Sequence, residues 1–225
     1  VFAPGPLLAR ALSLAGLEAP VFCELHAKLA LDDPAGIVPR ELPMTLWDDP
    51  VSLEWSDQER VALRRDPGAR GLARPLPRGV HVRPRGSGTE VLLIWTYDTR
   101  PTPPDWPPRF DPLYGEILVR GAARMIPGLR AYFGRGGKGV VSGGYYCKTR
   151  ENRPLIGPLP LEGAFVIGAL SGYGIMASQA AAELAAAHVT GDPLPAHAPA
   201  FLPSRYDDPE YVARIEAYRG WSGQL

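Results

Sequence analysis

The stretch Tyr145-Tyr146-Cys147-Lys148-Thr149-Arg150-Glu151-Asn152-Arg153-Pro154-Leu155-Ile156-Gly157, followed by Gly168-Ala169-Leu170-Ser171-Gly172-Tyr173-Gly174-Ile175-Met176, decides how this 225-residue chain is read. Its pattern is a strand, a polar turn, a second strand, and then a glycine-rich elbow opening an alanine-rich helix. Glycines at the elbow allow positive φ and let a planar ligand approach the backbone with no Cβ in the way. A helix beginning near Gly174 leaves its first N–H groups without intrahelical acceptors, and its dipole favours negative charge there. The elbow has neither the GK[ST] of a phosphate loop nor a dinucleotide GxGxxG. Taken alone, such a turn is more often a tight, close-packed connection.

Outward from this stretch, Val1-Phe2-Ala3 reads as a strand-like stub and Leu7 to Ala15 as a helix, with Pro6 in its first turn and Gly16 as its stop. The stub has the look of a cut edge. Alternation of Val21, Cys23 and Leu25 against Phe22, Glu24 and His26 predicts a strand from Pro20 to about Lys28. Ser56-Asp57-Gln58-Glu59 has the form of a capping box and opens a charged helix to Arg65. Arg85-Gly86-Ser87-Gly88 separates two strand patterns, 79–84 and 89–97, and predicts a hairpin. Its second arm, Val91-Leu92-Leu93-Ile94-Trp95, is continuously apolar and suits a sheet covered on both faces. Pro101 to Pro112 holds six prolines and is a connector without regular structure. An amphipathic helix is predicted over Tyr114 to Met125, strands over Val140 to Lys148 and Ala164 to Ile167, and a helix from Gly174 to about His188 that Thr190-Gly191-Asp192-Pro193 ends.

Composition is that of an ordinary globular chain, with 45% hydrophobic and 21% charged residues. Lys plus Arg (24) equals Asp plus Glu (24), which argues against nucleic acid as a partner. Two cysteines, Cys23 and Cys147, define neither a disulfide framework nor a zinc spacing and read as reduced thiols of a cytoplasmic protein. The four histidines form no ligand pattern, so no metal site is expected. Gly163 to Ala182 is uncharged but mostly small residues, and reads as a buried strand and close-packed helix rather than a membrane span.

The pattern T-x-[DE]-x-x-P-x-I-G, then about ten residues, then G-x-x-S-G-x-G is met by Thr149, Glu151, Pro154, Ile156, Gly157, Gly168, Ser171, Gly172 and Gly174. It resembles the carboxyl-terminal flavin-contacting signature of the D-amino-acid oxidase superfamily of FAD-dependent oxidoreductases, in particular sarcosine and glycine oxidases. The opening strand with Ala3 and Gly5 is similar to a strand of the family's flavin domain. The resemblance implies an α+β fold: an antiparallel-sheet substrate domain plus a partial FAD-binding α/β domain whose N-terminal dinucleotide-binding unit is missing. The expected division is 1–24 and 140–203 for the FAD domain, 25–139 for the substrate domain, and 204–225 for a surface tail.

The resemblance also implies roles. Gly5, Gly144, Gly168, Ser171, Gly172, Tyr173, Gly174, Ile175 and Met176 would contact FAD, with Ser171 to Ile175 offering backbone donors. Tyr146 falls where sarcosine oxidases keep a tyrosine facing the substrate, and Tyr173 replaces a histidine; these two are the catalytic candidates. Met176 replaces a lysine, so a substrate carboxylate needs another anchor. Gly144 stands where those enzymes carry the cysteine that binds flavin covalently, which implies non-covalent FAD. Candidate substrate residues are Arg83, Lys148 and Arg153, and the same-face pairs His26 with Lys28 and His81 with Arg83. Each reads alternatively as a solvated charge. The implied activity is oxidation of a C–N bond of a small-molecule amine or amino acid by hydride transfer to flavin, with this piece alone inactive and poor at holding FAD. The alternative is a non-catalytic binding or assembly protein on the same scaffold.

Overall fold

The alternation beginning at Val21 carries strand β1 over Phe22–Asp32, past its expected end. In this computed structural model, which describes residues 1–135 and 139–217, four more strands join it: β2 Thr45–Trp47, β3 Val80–Pro84, β4 Glu90–Ile94 and β5 Val140–Lys148. The sheet order is β2-β3-β4-β1-β5, and β6 (Leu155–Pro158) and β7 (Phe165–Gly168) form a separate antiparallel pair. The helices are α1 Leu8–Ser13, α2 Asp57–Arg65, α3 Tyr114–Ala122, α4 Gly174–Thr190 and α5 Pro209–Ala217. The end of the expected surface tail, 218–225, lies outside the described residues.

The chain forms two units. One comprises His26–Thr99 and the described part of Trp106–Gly144; the other comprises Val1–Leu25, Arg100–Asp105 and 145–217. In the first of these, the hairpin expected about Arg85–Gly88 is β3 and β4, with Val82 opposite Leu93. Ala27, Leu29 and Leu31 of β1, Val80 and Val82 of β3, and Val91 and Leu93 of β4 turn one face of the sheet onto Ile117, Leu118 and the rest of α3. Leu92 is buried from the opposite face, which accounts for the unbroken apolar run of β4. The capping box of α2 is formed: Glu59 donates its backbone N–H to Ser56 Oγ, and Ser56 N–H donates to Glu59 Oε2. Helix α3, expected as an amphipathic helix, is buried nearly all round. Eight of its nine residues are buried, and Gly121 permits this, because a Cβ there would lie 2.7 Å from Trp95 Cζ3.

In the other unit Phe2 bridges Val166 in parallel, its N–H donating to Phe165 O at 2.7 Å. Leu8, Leu12, Cys23, Tyr145, Cys147, Leu155, Val166 and Ala169 form its core. A second cluster packs Ile156 against Ala181, Leu184 and Ala185 of α4. Helix α4 stops at Gly191, which takes φ 78°, as its sequence predicts. Helix α5 lies at the surface and buries no residue, but Arg205 just before it is buried.

Candidate functional site

The motif turn after β5 is closed by Thr149, whose hydroxyl donates to Arg153 O at 2.7 Å and accepts from Arg153 N–H at 2.9 Å. Glu151 in this turn points to the tail: its Oε1 accepts from Arg205 Nη2 (2.8 Å), Tyr206 OH (2.7 Å) and Tyr211 OH (3.0 Å). Burial pushes the Glu151 carboxyl up, but hydrogen bonds from Tyr206 and Arg205 carry it net below the usual carboxylate range. Three phenol and guanidinium donors on one oxygen make the T-x-E-x-x-P segment a scaffold.

The elbow after β7 is built differently. Ala169 and Ser171 take φ 54° and 52° without being glycine, a conformation that costs about 1 kcal/mol or more at each position. The Ser171 N–H donates to Cys147 O at 3.0 Å, which anchors the bend to β5. Its Oγ is buried and has no hydrogen-bond partner among the described residues. Tyr173 is the N-cap of α4 but supplies no side-chain cap, and the first turn carries no acidic residue. Gly172, Ile175 and Met176 are exposed, Ile175 at 94% and Met176 at 83%. The corner is therefore open to solvent, with uncapped N–H groups at its edge.

Two expected contacts at the elbow need correction. Gly168 does not present a bare backbone to a ligand: a Cβ there would lie 2.7 Å from Leu8 Cδ2, so its glycine serves the packing of α1 on β7. Tyr173 does not offer a free phenol, because its hydroxyl donates to Asn152 O at 2.6 Å. Tyr173 and Arg153 do come together, on the wall of a cavity of about 550 Å³ that also has Leu170, Ala177, Leu184 and Phe201 in its lining. Burial raises the Tyr173 phenol above its ordinary pKa, and Tyr146, half-buried on β5, is raised for the same reason. Gly5 opens a short 3₁₀ turn with φ 58°, exposed and with open space beside it.

Lys148 is the third correction. Its side chain is 1% exposed and Nζ sits 3.0 Å from Glu24 Oε2, itself buried, so it is neither a wet charge nor an open anchor. On the sheet unit, by contrast, four expected residues share a face. His81 and Lys28 both stand opposite Ile94, and Arg83 stands opposite Leu92 beside Ala30, on the side of the sheet away from α3. His26, next along that face of β1, shares a 2.7 Å hydrogen bond between Nδ1 and Thr96 Oγ1. Lys28 and Arg83 are exposed, while His81 is buried, and burial lowers its pKa. Gly144 of β5 is half-buried, with no atom within 4 Å of where a Cβ would be.

Residues 51–188 match the family DAO, FAD dependent oxidoreductase, over more than half of the chain. The chain belongs to this family. Two solved structures are similar to it in fold: iminodiacetate oxidase from Chelativorans sp. BNC1 (TM-score 0.55, 16% identity, covering 88% of this chain and 44% of that one) and L-proline dehydrogenase from P. horikoshii (TM-score 0.55, 17% identity, covering 91% and 46%). The chain thus spans less than half the length of either structure. No curated protein matches it.

At Gly168 Leu8 fills the space a ligand would need, whereas the corner from Ser171 to Met176 has exposed Gly172, Ile175 and Met176 and a buried Ser171 Oγ without a partner among the described residues, the features a flavin edge would need. Sequence reading missed two groups. One is the Glu151–Arg205 lock, of which only Glu151 lies in a motif. The other is the approach of Cys23 to Cys147, 124 positions apart, for which the sequence carries no signal. Among the described residues no three His, Cys, Asp or Glu side chains are grouped to hold a metal ion, and no helix is long and apolar enough to cross a membrane.

Proposed function

We propose that this chain contributes the substrate domain and the carboxyl-terminal FAD-domain segment of an oxidoreductase acting on a C–N bond of an amine or amino acid. The observation that carries the reading is the open, strained elbow: an uncapped α4 N-terminus, two left-handed non-glycine residues, and a buried Ser171 Oγ lacking a partner among the described residues. Bound FAD would supply the hydride acceptor that amine oxidation requires. Ser171, Gly172 and Gly174–Met176 would hold its pyrimidine edge, their backbone donors and the α4 dipole stabilising negative charge there. Gly144 offers no nucleophile, so attachment is non-covalent.

The remaining residues bind and orient. Tyr146, its phenol raised by burial, stays protonated and positions substrate without removing a proton, while Tyr173, whose hydroxyl is given to Asn152 O, contributes its ring to the cavity wall. Lys28, Arg83 and Arg153 carry exposed charge for a carboxylate, and His81, kept neutral by burial, offers a hydrogen bond. Lys148, paired with Glu24, holds β5 to β1 in place of meeting substrate.

The test is a flavin titration of the 225-residue chain followed by amide NMR, a method that detects weak complexes. Shifts confined to 171–176 are expected at millimolar flavin mononucleotide, and Gly172→Asp should abolish them by adding negative charge. Shifts elsewhere only, or none, would refute the site. For the amine chemistry, a longer version that holds flavin but never reduces it with any amine would favour a non-catalytic binding role.

A further inference from the structure

The two cysteines play no part in the function proposed above, yet the fold brings them together. Along β5 the bare Cα of Gly139 packs against Leu29 and Ala30, and that of Gly143 against His26 and Ala27. The pairing with β1 is therefore antiparallel, and carried forward it places Cys147 across from Cys23. Both side chains are buried in the same apolar cluster, at 7% and 6% exposure. The Cys147 and Cys23 thiols hydrogen-bond to one another, and Cys23 Sγ donates onward to Pro6 O at 3.3 Å. Both sulfur residues also line a cavity of about 500 Å³ whose wall is mainly apolar (Pro6, Val21, Phe22, Pro101) and which opens to solvent.

We propose that Cys23 and Cys147 form a dithiol modification site that peroxides close to an intrachain disulfide. The cavity admits a small neutral oxidant and disfavours bulky charged thiols. Among the described residues Arg10 is the only charged one of its lining. Within the pair, the hydrogen bond from Cys147 lowers the Cys23 pKa despite burial, and the same bond together with burial raises Cys147. The thiolate of one cysteine of the pair attacks one peroxide oxygen; the O–O bond breaks, and the departing hydroxide takes up a proton as water. The other sulfur then attacks the resulting sulfenic sulfur, the S–S bond forms, the S–O bond breaks, and the second oxygen leaves as water with the proton of the second thiol. Two thiols lose two electrons and one hydrogen peroxide becomes two waters. Because Cys147 O holds the Ser171 N–H, the modification is felt at the elbow.

The experiment uses the wild-type 225-residue chain treated with hydrogen peroxide, then alkylated and mapped by mass spectrometry. The expected product is a Cys23–Cys147 disulfide peptide, with intact mass lower by two hydrogens and restored by dithiothreitol, and with the Ser171 amide shifted. Cys23→Ser or Cys147→Ser should each form no intrachain disulfide and stop at a sulfenic acid on the remaining cysteine, trapped by dimedone. A measurement needing no variant is bidentate capture: one equivalent of phenylarsine oxide should protect both thiols of the folded chain from alkylation. Full alkylation of both cysteines after peroxide or arsenical, sulfinic acid without a disulfide, or disulfides only between chains would overturn the site. None of these readouts depends on flavin binding.

Discussion

Removing the guanidinium of Arg205 should loosen the motif turn more than any single change at the elbow itself. Arg205 is 5% exposed and Glu151 7% exposed at the side chain, so Arg205→Met leaves a buried carboxylate without its cation. It also strips donors from Leu202 O and Arg153 O, each at 3.0 Å, and removes the charge seated 4.6 Å from the Tyr206 ring. Breaking a buried pair from one side costs about 3–5 kcal/mol. With a urea m-value of about 2.5 kcal/mol/M, the midpoint should fall by about 1–2 M. Far-UV circular dichroism would follow unfolding, with hydrogen exchange of Ile156 and Gly157 as the local readout. Glu151→Gln combined with Arg205→Met should be less destabilised than the sum of the single changes, because the stranded charge is gone. The Glu151 carboxyl is held below its unfolded value, so its contribution is present above pH about 4.3 and fades as pH falls through the lower folded pKa. Glu151→Gln should remove that acid-side slope. A midpoint change under about 0.3 M for Arg205→Met, or strict additivity in the cycle, would refute the argument that this pair fastens the turn to the tail.

Adjacent glycines on β5 should respond oppositely. Gly143→Ala drives a Cβ into the His26 carbonyl oxygen and Ala27, backbone that cannot step aside, and should cost about 3 kcal/mol or more, whereas Gly144→Ala meets nothing and should change stability by under about 1 kcal/mol. Equal melting temperatures for the two variants would show that the β1–β5 contact is not as close as described. Gly168→Ala should cost about 1–3 kcal/mol in thermal unfolding, and Leu8→Ala in the same chain should add less than it costs alone, since it opens the space the new methyl needs. Full additivity would remove Leu8 as the reason for that glycine. His81 binds its proton less readily when folded, so wild-type stability should decline as pH falls below about 6.5, and His81→Gln should flatten that part of the profile. An unchanged slope in urea titrations between pH 7 and pH 5 would count against burial as the cause.

Local chemistry was legible without coordinates wherever neighbours in sequence are neighbours in space. The Ser56–Glu59 capping box, the hairpin about Gly86, the Gly191 stop and the elbow all depend on residues a few positions apart, whose φ, ψ and hydrogen-bonding preferences are intrinsic. Period-2 patterning likewise placed His26 with Lys28 and His81 with Arg83 on common faces before strand pairing was known. Tertiary contact decided the rest. Gly168 and Gly121 look alike as small residues, and only the positions of Leu8 and Trp95 show that packing requires them. Lys148 has the same charge as Lys28, yet the strand partner Glu24 encloses one while the other stays in solvent. Cys23 meets Cys147, and Glu151 meets Arg205, because chain closure brings distant segments together at an entropic cost that no local pattern records.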